Sequence, residues 1–118
     1  MTALRRAEIR YAELDPSIGS EATKRRPVVI VSNNGANNAA ARHSGGIVTV
    51  APMTTNLSRI YSFQVLVPAQ ESGLRHDSKI QAEQVRSISV ERLGDRVGIL
   101  GPASIRALDE ALRLHLAL

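Results

Sequence analysis

Arg26 stands immediately before Pro27, where the polar, cationic stretch Gly19-Ser20-Glu21-Ala22-Thr23-Lys24-Arg25 meets the aliphatic run Val28-Val29-Ile30-Val31. The proline ring pushes the residue before it toward extended geometry, and proline itself is tolerated at the first position of a strand. An unbroken β-branched run reads as a strand buried on both faces. A guanidinium is thereby held on a stiff backbone at the mouth of a buried strand, with Glu21 five residues upstream. Rigid cations beside a polar loop suit a phosphate. Taken alone, the stretch reads more readily as a solvated loop, because most charged loops carry no chemistry. The other acid–base candidates, His43, His76 and His115, match no zinc spacing and have no supporting group nearby in sequence.

The chain of 118 residues is long enough for one domain that buries about two-thirds of its unfolded surface. It contains no cysteine, which excludes disulfides and thiolate metal sites, and no metal or other cofactor is expected. No apolar run approaches the ~18 residues of a membrane span, and no signal-peptide core is present, so a cytoplasmic protein without membrane contact is expected. The net charge is +4 with a pI near 10.3, and all but two of the fifteen cations are arginine. Arginine's planar fork favours bidentate contacts to phosphate, which suits an anionic partner, and a high ratio of arginine to lysine also follows from the base composition of a genome alone. Tyr11, Tyr61 and Phe63 are the whole aromatic set, too few for a broad base-stacking platform.

Several short strands must carry these residues. Residues 1–6 read as a basic, poorly fixed start. Residues 8–14 alternate as a half-buried strand, with Ile9 and Tyr11 on one face and Arg10 and Ala12 on the other. Further strands are expected over 28–32, 47–53 (broken by Pro52), 61–67, 78–87 and 96–100. Short helical turns are expected across 37–42 and 89–93, with a turn-rich connection over 68–77. Pro102 opens a helix whose stripe Ile105, Leu108, Leu112 and Leu116 reads as core. Leu114 and Leu118 fall off that stripe and suit the cover of a partner subunit. Many short strands and one terminal helix describe a small, strongly bent antiparallel sheet or barrel closed by the helix.

The order Ile9-Arg10-Tyr11-Ala12-Glu13-Leu14-Asp15-Pro16, Gly19-Ser20-Glu21, Arg26-Pro27-Val28-Val29, Pro52-Met53-Thr54, Glu83-Gln84-Val85-Arg86-Ser87-Ile88 and Arg92-Leu93 resembles the MazF/PemK family of toxin–antitoxin ribonucleases. The resemblance runs from about Glu8 to the terminal helix. It implies an α+β fold, mainly β: a small SH3-like barrel with short helices and a C-terminal helix, spanning 1–118 as one domain and forming a homodimer. It implies metal-free, ribosome-independent cleavage of single-stranded RNA at short sequences, leaving 2′,3′-cyclic phosphate and 5′-hydroxyl ends. It also implies inhibition by a cognate antitoxin with an acidic, flexible C-terminal segment. Position by position, the catalytic arginine falls on Arg26 and the catalytic hydroxyl on Thr54. Glu21 falls on the acidic residue of the loop, either a base or the ion-pair partner of Arg26. Ser20, Arg25, Thr55, Asn56, Gln84 and Arg86 are the expected RNA contacts. Tyr11 stands where many members carry tryptophan, a matter of packing.

Two other functions share these features. A CcdB-like gyrase poison has the same fold, but such poisons act through a C-terminal tail with a tryptophan, and this chain has none. A non-catalytic RNA- or protein-binding homologue would not need the intact Arg26 and Thr54 motifs.

Overall fold

The computed structural model describes residues 3–15 and 24–118. Strands Glu8–Asp15 (β1), Lys24–Ile30 (β2), Ile47–Thr54 (β3), Gln64–Val67 (β4), Ser78–Gln81 (β5), Arg86–Ser89 (β6) and Leu93–Ile99 (β7) are joined by antiparallel pairing. Helices Asn34–Ala41 (α1), Ala69–Ser72 (α2) and Pro102–Leu116 (α3) complete an α+β fold. The sheet runs β4-β5-β3-β2-β1-β7, and β6 continues alongside β3.

Both faces of the central strands are covered, so their aliphatic runs bury alternate side chains in two cores. On one face Ile9, Val29, Met53, Val65 and Ile80 pack against Leu108 and Ala111 of α3. On the other, Ala12, Val28, Ile30, Val48, Val50 and Ile88 are closed off by Leu4 and by Ala40 of α1.

The structure departs from the sequence expectations in ways that have local causes. The chain start is fixed rather than loose among the described residues: Leu4 is fully buried, and Arg6 donates to Val31 O and pairs with Asp109 of α3 at 2.8 Å. Arg10 is buried, not surface, because it pairs with buried Glu8 at 3.1 Å and donates to Gly94 O. Pro52 does not break β3, which continues through it opposite Val28. The turn expected across 37–42 is a longer helix, because Asn33 caps its N-terminus by accepting from Ala36 N. Leu116 of the α3 stripe is 48% exposed, not core.

The strand expected over 78–87 is interrupted. Moving four residues back along β3, from Thr54 to Val50, its partner advances seven, from Lys79 to Arg86. The surplus is the 3₁₀ turn Ala82–Gln84, which separates β5 from β6. The fourth strand starts at Gln64 rather than 61, because a turn held by Gln64 N donating to Tyr61 O precedes it.

Candidate functional site

β2 delivers Arg26 to the rim of the second core. Val28 stands opposite Pro52, and the same register carried two residues further sets Arg26 beside Thr54. The guanidinium does cross to β3: Nη2 donates to Met53 O at 3.4 Å and to Gln81 Oε1 at 3.5 Å. Both contacts are at the long end of the hydrogen-bond range. Among the described residues Arg26 has no carboxylate partner. Within the described residues only Nη2 is engaged, which leaves the other donors of the guanidinium open to an anion.

Thr54 ends β3 and is half-buried. Its Oγ1 accepts from Asn56 N at 3.2 Å, which occupies a lone pair and leaves the hydroxyl hydrogen to donate elsewhere. Asn56 in turn accepts from Ser58 N and Ser58 Oγ, so the loop after Thr54 is tied by its own side chains. Thr55 and Asn56 are exposed there.

β5 supplies the third side. Cross-strand partners share a face, so Lys79, opposite Thr54, and Gln81, two residues on, point to the same side as Arg26 and Thr54. Lys79 is buried, and its ammonium donates to Arg59 O at 2.5 Å. A cationic residue thus stands on the strand to each side of Thr54, Arg26 on β2 and Lys79 on β5. Together they form a cationic notch with a hydroxyl donor, a fit for a phosphodiester. Among the described residues no three His, Asp or Glu side chains converge as a metal site would require.

The other sequence candidates are placed as follows. Arg25 alternates to the opposite face of β2, where its guanidinium lies 4.9 Å from the Tyr11 ring centroid. Gln84 is exposed on the 3₁₀ turn. Arg86 is exposed on β6 opposite Val50, about 13 Å along β3 from Thr54 at the usual strand rise. Ser20 and Glu21 lie outside the described residues. His43 and His76 are in exposed connections, and His115 is on α3 with its ring 6.1 Å from that of Phe63.

Gln81 and Lys79 were not singled out by sequence. The available signal was their alternation around apolar Ile80, which gave β5 a polar face. What that face meets depends on pairing with β3, which no local pattern reveals.

Comparison with known proteins identifies the family and the fold. Residues 5–116 match the family described as PemK-like, MazF-like toxin of type II toxin–antitoxin system. The chain is 50% identical over 115 residues to endoribonuclease MazF9 of Mycobacterium tuberculosis, covering 98% of both chains. It superposes on the M. tuberculosis toxin MazF-mt6 with a TM-score of 0.74 and 32% identity, over 94% of this chain and 97% of that one. A mycobacterial endoribonuclease solved in complex with its cognate antitoxin gives a TM-score of 0.73 at 25% identity, over 98% and 97% of the chains.

Proposed function

The chain belongs to the family of PemK-like, MazF-like toxins of type II toxin–antitoxin systems and is an endoribonuclease toxin; we propose that it cuts single-stranded RNA at the Arg26–Thr54 notch without a metal or the ribosome. The observation that carries this reading is the Arg26 guanidinium reaching across from β2 to β3 beside Thr54.

The reaction follows from what the notch offers. The 2′ oxygen attacks the adjacent phosphorus, a P–O2′ bond forms, and the P–O5′ bond breaks. The products are a 2′,3′-cyclic phosphate and a 5′-hydroxyl. Arg26 donates to the non-bridging oxygens as charge builds on them, with Thr54 Oγ–H as a further donor. Preorganised donors of this kind are usually the largest catalytic contribution. A guanidinium holds its proton too firmly to serve as the base, so the 2′ proton goes to another group. Glu21 is assigned that proton, with an ion pair to Arg26 as its alternative role, and the departing 5′ oxygen takes a proton from water while Arg26 donates a hydrogen bond to it. Ser20, Thr55, Asn56, Gln84 and Arg86 contact the RNA strand around this centre, whereas Arg25, turned to the opposite face of β2 against Tyr11, meets the strand only away from it.

The partners are a second copy of the chain and a cognate antitoxin with an acidic, flexible segment, and the site of action is the cytoplasm. The dimer reading is supported by Leu114, Leu116 and Leu118, which are 57%, 48% and 84% exposed along the end of α3. The antitoxin reading is supported by the cationic notch.

The test incubates the purified protein with a long RNA in EDTA and maps the ends by primer extension. Discrete cuts with cyclic-phosphate ends are expected, and none with Arg26→Ala, which stays folded. Full activity in Arg26→Ala would falsify the assignment. Gyrase inhibition with intact RNA, or RNA retarded on a gel but uncut, would replace it with the poison or the binding homologue.

A further inference from the structure

The connection between β3 and β4 has its route imposed by topology. Both strands are antiparallel to β5, which lies between them, so they run parallel to each other. Thr54 at the end of β3 stands opposite Lys79, whereas Gln64 at the start of β4 stands opposite Gln81. Residues 55–63 must therefore pass back across one face of β5. The Lys79 ammonium identifies that face, since it grips Arg59 O from the side it shares with Thr54. Tyr61 N is held in turn by Gln64 Oε1 at 3.1 Å, and Gln64 shares its face with Gln81, which accepts from Arg26. The connection is thus pinned along the Arg26–Thr54 notch at two points.

The connection carries a stack of flat groups that runs from Arg59 toward α3. The Arg59 guanidinium lies 5.2 Å from the Tyr61 ring centroid. The Tyr61 and Phe63 rings are 5.2 Å apart and 5° from parallel, and Phe63 leans on His115 of α3. Phe63 is half-buried, but Tyr61 is 43% exposed. The Tyr61 ring is thus backed by Phe63 and has the Arg59 guanidinium over it, so an unpaired base joins this stack on the guanidinium plane or in its place. Two of the chain's three aromatic side chains are spent here, so the stack suits one base rather than a platform for many.

We propose that Tyr61, together with Arg59, stacks one nucleobase flanking the scissile phosphate, and so positions the strand and contributes to the choice of cleavage sequence. The inference rests on the ribonuclease reading. It assigns Tyr61 no proton or charge in the reaction.

The experiment uses a short RNA containing one mapped cut site, together with versions in which a single flanking nucleotide is abasic. Tyr61→Ala is expected to raise KM and lower kcat/KM about tenfold or more, the usual scale for losing one stacked base, with kcat little changed. Tyr61→Phe keeps the ring and restores the parent values. At one flanking position, removing the base costs the parent enzyme a similar factor but costs Tyr61→Ala little more, because both changes remove the same contact. Circular dichroism verifies the fold, and Tyr61→Leu serves if Tyr61→Ala unfolds, since leucine keeps bulk without a ring. Unchanged kcat/KM, or abasic penalties equal in parent and variant at every position, overturns the proposal while leaving the nuclease assignment intact. Weaker antitoxin binding by a variant with parental kinetics reassigns Tyr61 to a protein interface. RNA left uncut by the parent protein removes the nuclease reading and this inference together.

Discussion

Replacing Arg26 by lysine separates the two things its side chain supplies, a positive charge and a planar fork of donors. Arg26→Lys should retain binding yet lose roughly 100-fold or more in kcat, because a point charge does not make two parallel bonds to the phosphate oxygens. Single-turnover cleavage of a defined RNA measures this, and near-parental turnover would show that charge alone suffices. Thr54→Val, matched in shape, should lower kcat with little change in melting temperature, whereas Thr54→Ser should retain most activity. Glu21→Gln distinguishes the two roles of that residue: a lost base lowers the rate across the pH range, while a lost ion pair is offset in part by the amide. In the sequence Pro27 singles out Arg26 as a cation on a stiff backbone, but a catalytic role for it comes only with the resemblance. Thr54 gained its meaning from the resemblance, and Gln81 had none until β5 was placed against β3.

Among the elements, β3 and α3 were readable because they carry long patterns: an apolar run in one, a proline start and a helical stripe in the other. The break between β5 and β6 was not, since the 3₁₀ turn follows from a mismatch in register along β3 rather than from any turn residue. Likewise α1 depends on a side-chain cap and on buried Asn37, which donates to Ser32 O and reads in sequence as loop. Asn33→Ala should cost about 0.5–2 kcal/mol, read as a lower denaturation midpoint, with cleavage specificity unchanged. The contact of α2 with β7 is made backbone to backbone at Gly98, where an added Cβ would come 2.2 Å from Ser72 O. Gly98→Ala should therefore destabilise by about 1–3 kcal/mol. Parental thermal stability in that variant would mean that the two elements separate easily.

Over the whole molecule, the excess of arginine becomes a prediction about salt. Binding of RNA should weaken linearly in log–log terms, and each phosphate contact removed should reduce the slope by about 0.7. Arg86→Ala, measured in an uncleaving Arg26→Ala background, should show that reduction; an unchanged slope would take Arg86 out of the RNA path. Leu114→Glu should favour the monomer in sedimentation, because the exposed α3 leucines are the surface assigned to the second copy. Composition suited an anionic partner but did not locate its site, since that depends on long-range pairing. The tether between Lys79 and the loop has a separate consequence for the residue it holds. Lys79 grips the carbonyl of residue 59, a group every amino acid possesses. The grip is blind to the side chain at that position. The side chain at residue 59 can therefore change while the loop stays fastened to β5 and the strands keep Arg26 and Thr54 in place.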